Sequence, residues 1–177
     1  MSEPVSLHAR LSFEPQNFQA FLDSAPTPGH AYDDWQAWLS QRGVHGGPIP
    51  REMLQGTGVA RVGDLLQAWQ ADTASGMPPF ALDANGRCTL TLMQTTDNYF
   101  ELVQFLAPLR GAAFWTRPEA DDFILATGFL FGDSEPMACI ALRDGRSQFL
   151  DAVPAPWQRE AEDSFEGALA LLAAAYD

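Results

Sequence analysis

The chain has 177 residues, a formal net charge of −13 and no lysine, so its ten arginines are its only permanently cationic side chains. Without lysine it has neither a Schiff-base nucleophile nor the lysine of a phosphate-binding loop, and its negative charge argues against a nucleic-acid ligand, because such binding rests on neutralised phosphates. A hydrophobic content of 46% with twelve Phe and five Trp predicts one folded domain over residues 1–177, since disordered chains lack this apolar mass.

The first half of the sequence predicts one strand followed by several helices. Residues 5–13 alternate between apolar and polar side chains, which is the period of a half-buried strand. Apolar residues then recur at helical spacing, and segments rich in Pro and Gly separate the helical stretches. The first predicted helix begins at Pro15, and the others span residues 31–42, 51–55 and 62–74.

The second half changes to the pattern of an antiparallel sheet. The turn-like sequence at 83–86 predicts a hairpin between residues 80–82 and 87–94. Three further strands, separated by polar turns, predict a meander. These strands span residues 123–131, 137–143 and 147–153, and helices are expected at 98–106 and 156–175. We therefore expect a single α+β domain, in which an antiparallel sheet of about five or six strands is packed by four or five helices.

A metal site or a catalytic group is not indicated by any residue pattern. The three histidines, His8, His30 and His45, share no ligand spacing with one another or with a cysteine. Asp121 and Asp122 are adjacent on a predicted strand, so their side chains point to opposite faces and do not share an ion. We expect no metal and no cofactor. His45, in a Gly-rich loop, is the best single candidate for a catalytic histidine, but it has no identifiable partner.

Two other motifs have a plain structural interpretation beside a functional one. Gly56, Gly58 and Gly63 suggest a nucleotide-binding loop, but their spacing does not match the dinucleotide fingerprint and no strand precedes them. Trp35 and Trp38 could stack on a ligand, but with the next apolar residue they have the spacing of a helix face that packs into a core. We expect both motifs to be structural.

Acidic residues gather at the turns of the predicted meander. In such a sheet, the beginning of the 123–131 strand and the end of the 137–143 strand lie at the same end. One interpretation is solubility, because net charge keeps a protein dispersed. The other is recognition of a basic protein partner, because acidic rims raise association rates and select partners. The candidate partner-binding residues are Glu119, Asp121, Asp122 and Asp144 at one end of the sheet, and Asp133 and Glu135 at the other.

The compartment follows from the N-terminus and the two cysteines. The N-terminal residues do not show a basic region followed by an apolar stretch, so no secretory signal is expected, and no apolar run reaches the roughly 20 residues that span a bilayer. Cys88 and Cys139 both fall in predicted strands, and buried, reduced thiols are the expectation. We expect a cytoplasmic protein with no membrane partner. Its use of arginine alone, with many Ala, Gly and Pro, is typical of a GC-rich bacterial genome.

In size, acidity and α+β composition, the chain resembles the immunity proteins that neutralise bacterial effector toxins. That resemblance implies a non-enzymatic protein that blocks or inactivates its cognate toxin by direct binding. The alternative is a small-molecule enzyme or ligand-binding protein with a pocket near residues 43–58. A lesser alternative is a secretion chaperone or adaptor. A binding protein is expected to present a flat acidic or aromatic surface, whereas an enzyme is expected to have a deep pocket with converging polar groups.

Overall fold

The structure is a computed structural model, which describes residues 4–44, 46–73, 80–128 and 136–175. Within these residues, five strands form one antiparallel sheet in the order β2-β1-β3-β4-β5. The α+β class and the C-terminal meander that the sequence predicted are therefore confirmed. The strands are β1 (Val5–Ser12), β2 (Arg87–Thr96), β3 (Asp122–Thr127), β4 (Ala138–Arg143) and β5 (Arg146–Phe149).

Six α-helices and two short 3₁₀ turns accompany the sheet in the described part of the chain, rather than the four or five helices expected. The predicted helix at 31–42 divides into a 3₁₀ turn, Gly29–Ala31, and a shorter helix. The helix expected at 98–106 continues through Pro108 to Gly111, although Pro108 has no N–H to donate to the carbonyl four residues before it. The helices are α1 (Pro15–Asp23), α2 (Trp35–Gln41), α3 (Arg51–Leu54), α4 (Val62–Thr73), α5 (Tyr99–Gly111) and α6 (Ala155–Ala175), and the second 3₁₀ turn is Ala112–Phe114.

The predicted hairpin between residues 80–82 and 87–94 is wrong, although its turn is present. The N–H of Gly86 donates to the carbonyl of Asp83 at 3.1 Å, and the Gly86 φ of 73° is one that glycine adopts without strain. β2 nevertheless pairs with β1, from Val5 opposite Thr96 to Ser12 opposite Arg87. The N–H of Asp83 donates to the carbonyl of Arg87 at 2.8 Å, but residues 80–82 form no strand, and β2 is an edge strand that pairs with β1.

The two faces of the sheet bury two separate clusters. Alternate residues of β1, such as Leu7 and Leu11, face α1, α2, α4 and α5 across the larger core. The opposite face is smaller and is covered by α6, whose Phe165 is fully buried against Phe123 of β3. α6 packs mainly over β1, β2 and β3. The α6-side face of β4 and β5 is therefore left partly open, and the candidate site lies beside it.

Candidate functional site

One end of the sheet, which we call the turn end, brings together the β4–β5 turn and the segment that leads into β3. The N–H of Asp144 donates to the carbonyl of Pro118 at 3.1 Å, and Asp122 lies opposite Leu142 in the β3–β4 register. Asp144 and Gly145 have φ values of 53° and 73°, which are those of the tight hairpin turn that matches strand twist. The predicted proximity of Glu119, Asp121 and Asp144 is present in the structure.

Asp121 is exposed but heavily used within the protein. Its Oδ2 accepts the indole N–H of Trp157 at 2.9 Å, and its Oδ1 accepts a guanidinium N–H of Arg143 at 3.1 Å. Arg10 lies 3.8 Å from the carboxylate and also donates to the Asp121 carbonyl. Asp121 therefore links β1, β4 and α6, and the two arginines compensate most of its negative charge.

Asp122 is a correction to the predicted acidic rim, because its side chain is buried. It is 1% exposed, and its two carboxylate oxygens accept the backbone N–H of Ser12 at 2.8 Å and the Ser12 hydroxyl at 2.7 Å. Burial raises the pKa of this carboxyl, and the two bonds from Ser12 only partly oppose the rise. The strand alternation separates Asp121 from Asp122, as expected, but it places Asp122 where a partner cannot contact it.

Glu119 and Asp144 are the remaining acidic residues of the turn end. Both are exposed, and within the described residues neither side chain has an ion-pair partner. They are therefore free to interact with a partner. The second predicted set, Asp133 and Glu135, lies outside the described residues, as does His45.

Phe114 is the residue of this end that sequence reasoning missed. At 75% exposure it is the more exposed of the two large hydrophobic side chains that face solvent in the described part of the chain, the other being Leu171 at 47%. It ends the 3₁₀ turn after α5 and lines a cleft of about 360 Å³ together with Gly145 and Arg146 of the β4–β5 turn. A run of four apolar residues at 112–115 carries no periodicity, so nothing in the sequence distinguishes this exposed ring from a buried one.

Arg110 anchors the end of α5, which leads to Phe114, to β5. Its side chain is almost fully buried, and its Nε donates to the hydroxyl of Ser147 on β5 at 2.8 Å. The guanidinium lies 3.9 Å from the Tyr32 ring centroid and 4.9 Å from that of Phe149, within the range of cation–π attraction. These contacts anchor the end of α5, and the 3₁₀ turn that follows places Phe114 beside the β4–β5 turn, where its ring packs against Trp115 with the ring centroids 5.1 Å apart.

A buried charged network lies under α6, next to the turn end. His8 is fully buried; its Nδ1 lies 3.1 Å from the Thr91 hydroxyl and its Nε2 lies 3.3 Å from Glu160. Arg10 also donates to Glu160. Burial raises the pKa of the Glu160 carboxyl, but hydrogen bonding and charge from His8 and Arg10 outweigh it and leave the pKa below its usual value. This network joins α6 to β1, and each of its polar groups has a partner.

The open face of β4 and β5 forms a larger cleft of about 660 Å³, bordered by α6 at one side. A second cleft of about 260 Å³ contains Arg42 and Cys139. Neither these two clefts nor the one beside Phe114 is lined by residues 43–58, where the sequence placed the alternative pocket, and this holds for the part of that segment that the structure describes. The residues around the larger cleft are Asp121, Asp122, Ala141, Arg143, Asp144, Arg146, Gln148, Leu150, Pro154 and Trp157.

Comparison with known proteins finds no relatives of the chain. No family model, no curated protein and no solved structure matches it.

Within the described residues, no group of three or more His, Cys, Asp or Glu side chains is arranged to hold a metal ion. None of the helices in the described part combines the length and the apolar character that a bilayer crossing requires.

Proposed function

We propose that the chain is a non-enzymatic binding protein of the bacterial cytoplasm that neutralises a cognate effector toxin by direct protein–protein contact, as an immunity protein does. The observation that carries the proposal is Phe114, a large aromatic side chain that is 75% exposed beside the acidic turn end. Aromatic residues, Phe included, are enriched in protein interfaces. In the free protein the Phe114 ring contacts that of Trp115, and three quarters of the residue stays exposed to solvent.

The surroundings of Phe114 match the anatomy of an interface. The Phe114 ring packs edge-on against Trp115, with the ring centroids 5.1 Å apart, and the end of α5 before it is anchored to β5 by the Arg110–Ser147 bond. Glu119 and Asp144, exposed at the same end, supply a polar rim around an apolar centre. Their negative charge would attract a basic partner before contact, and the exposed Arg146 of the same turn offsets part of it. A partner that covers about 800 Å² per side can reach all of these residues.

The test is binding to the product of the gene that neighbours this one, measured by kinetics at several salt concentrations. Phe114→Ser is expected to raise the dissociation rate, because it removes the central apolar contact. The double variant Glu119→Lys/Asp144→Asn is expected to lower the association rate and to weaken its salt dependence. Asp144 is changed to Asn rather than Lys because its φ of 53° favours Asn over a longer side chain.

The chain supplies a matched control on α6. Asp163 and Glu166 are exposed, and Glu166→Lys/Asp163→Asn changes the same residue types and the same net charge at a different place. Leu171→Ser removes an exposed apolar side chain away from the turn end and is the control for Phe114→Ser. Equal losses of affinity in the α6 and turn-end variants would show that only net charge matters. A partner that binds Phe114→Ser as tightly as the wild-type protein would place the interface elsewhere.

A further inference from the structure

We infer that the open cleft over β4 and β5 is a binding site for a small organic carboxylate that carries an apolar group. This site uses a different observation from the proposed protein interface and goes beyond it. The observation is a pair of arginines, Arg143 and Arg146, that lie directly opposite each other in the β4–β5 register and both line the cleft.

Two like charges directly opposite each other on neighbouring strands repel, and a counter-ion offsets that repulsion. Arg143 has a counter-ion in Asp121, at 3.1 Å. Arg146 is exposed, and within the described residues it has no ion-pair partner within 4.0 Å. An anion that accepts N–H groups from Arg146, with Arg143 close by, relieves the repulsion.

The lining of the cleft selects the rest of the ligand. Leu150, Pro154 and Trp157 form an apolar wall where α6 begins, and Ala141 with Gln148 forms the floor between the arginines and that wall. The volume of about 660 Å³ is that of a small-molecule site, which is usually an apolar cleft with a few oriented polar groups. A planar carboxylate matches the fork of a guanidinium.

The nearby acids limit the charge that the ligand carries. Asp121 is compensated by Arg10, Arg143 and Trp157 and therefore repels an anion only weakly. Asp122 also lines the cleft, but it is 1% exposed and both of its carboxylate oxygens accept hydrogen bonds from Ser12. The Asp144 side chain borders the cleft without an ion-pair partner among the described residues. It therefore disfavours a doubly charged group such as phosphate more than a singly charged carboxylate. The geometry thus favours a monoanion with a ring or a short apolar chain.

Benzoate is the probe, and benzamide is its neutral counterpart of the same shape. Each is titrated into the ¹⁵N-labelled protein, and the indole N–H resonance of Trp157 and the backbone resonances of β4 and β5 are followed. Benzoate is expected to bind saturably in the millimolar range or below, while benzamide is expected not to bind. Arg146→Gln should weaken benzoate binding about tenfold or more, since it removes a charge-assisted hydrogen bond.

Two further variants test whether benzoate binds in this cleft rather than elsewhere on the surface. Arg51→Gln, an exposed arginine on α3, makes the same change at a distant place and should leave the affinity unchanged. Ala141→Leu fills the floor without altering charge and should weaken binding. Equal binding of benzamide and benzoate, binding of inorganic phosphate as tight as that of benzoate, unchanged affinity in Arg146→Gln, or no saturation would each overturn the inference. None of these outcomes depends on the toxin partner, so failure here and failure of the proposed function are distinguishable.

Discussion

Arg110 and Asp34, which are 76 residues apart in the chain, form a two-point ion pair in which Nη1 donates to Oδ1 at 2.7 Å and Nη2 donates to Oδ2 at 2.8 Å. The pair joins α5 to the start of α2. The arginine side chain is 1% exposed and the aspartate 37%. Almost none of the arginine side chain contacts water, so the Asp34 carboxylate is the counter-ion that compensates its positive charge.

Loss of the carboxylate at position 34 should therefore lower the free energy of unfolding. Asp34→Asn leaves a buried guanidinium without its counter-ion, and we expect the free energy of unfolding to fall by about 3 kcal/mol. Asp33→Asn, the same substitution at an exposed neighbour, should change it by less than about 0.5 kcal/mol. Chemical denaturation of the two variants tests this difference. Similar stabilities would mean that solvent at the exposed side of Asp34 already compensates the arginine.

Asp121 and Asp144 are both exposed at the turn end, but their effects on stability should differ. Asp121→Ala removes the acceptor for Trp157 and Arg143 and should lower the free energy of unfolding by about 1 kcal/mol. Asp144→Asn keeps a residue that tolerates the turn conformation and should be close to neutral. The denaturant midpoints of both variants, at an unchanged denaturant dependence, give the comparison. If Asp121→Ala left the free energy of unfolding unchanged, Asp121 would count with Glu119 and Asp144 as an exposed charge that is available to a partner.

The different roles of these acids show what the sequence could predict. Periodicity and turn residues were enough for the β3–β4–β5 meander, and the meander placed Glu119, Asp121 and Asp144 at one end. The internal bonds of Asp121 were not predictable, because they depend on how α6 and β1 cross the sheet. The burial of Asp122 depends on Ser12, 110 residues away, whose N–H it accepts.

Contacts between residues far apart in the chain were the hardest to predict from the sequence. The partner of β2 is β1, and the pairing with residues 80–82 that the local turn suggested does not form. Trp157 was not recognised as a core residue, although it is 5% exposed and its ring stacks on Phe123 at a centroid distance of 4.7 Å. It lies in the first turn of α6, where the helical period of apolar residues has only begun. Further along α6, Phe165, Leu169 and Leu172 recur at helical spacing and pack in the smaller cluster, with Phe165 the most buried.

Asp122 should make stability fall as the pH rises. Because the pKa of its carboxyl is raised in the folded protein, the folded state holds its proton at pH values where the unfolded state has released it. Stability therefore decreases between the ordinary aspartate pKa, about 3.9, and the raised value. Asp122→Asn should remove this decrease. Free energies of unfolding measured across this pH range for both proteins test the sign, and parallel pH profiles would contradict it.

Glu160 should act in the opposite direction. The pKa of its carboxyl is lowered in the folded protein, so its stabilising contribution is complete above the ordinary glutamate pKa of about 4.3 and is lost as the pH falls through the lowered value. At neutral pH, Glu160→Gln should lower the free energy of unfolding by about 1–3 kcal/mol, because His8 and Arg10 then bond to a neutral amide instead of a carboxylate.

The control for Glu160 is Glu166→Gln, which changes an exposed glutamate on the same helix. It should be near neutral and should retain the wild-type loss of stability in acid. Acid unfolding followed by circular dichroism separates the two variants. If Glu160→Gln and the wild-type protein lost stability in parallel below about pH 4.3, then other carboxylates would dominate the acid response.

Cys88 and Cys139 are too far apart to form a disulfide. Cys88 lies on β2 and Cys139 on β4, with β1 and β3 between them. Three interstrand steps of roughly 4.8 Å exceed the ~7 Å limit between the Cα atoms of a disulfide. The two thiols also lie on opposite faces of the sheet, Cys88 in the larger core and Cys139 under α6. Both are buried and unpaired, as expected from the sequence.

Both thiols should therefore be unreactive in the native protein and fully reactive once it is unfolded. Burial raises the pKa of the Cys88 thiol, and raises that of Cys139 to about 11, so at neutral pH neither forms the nucleophilic thiolate. Iodoacetamide, added without a reductant, should label neither cysteine in the folded chain and both in denaturant, as read by intact mass. Rapid native labelling of Cys139 alone would show that the small cleft beside it opens in solution. A mass two hydrogens lower, with no labelling in denaturant, would require strands separated by two others to meet and would contradict the strand order.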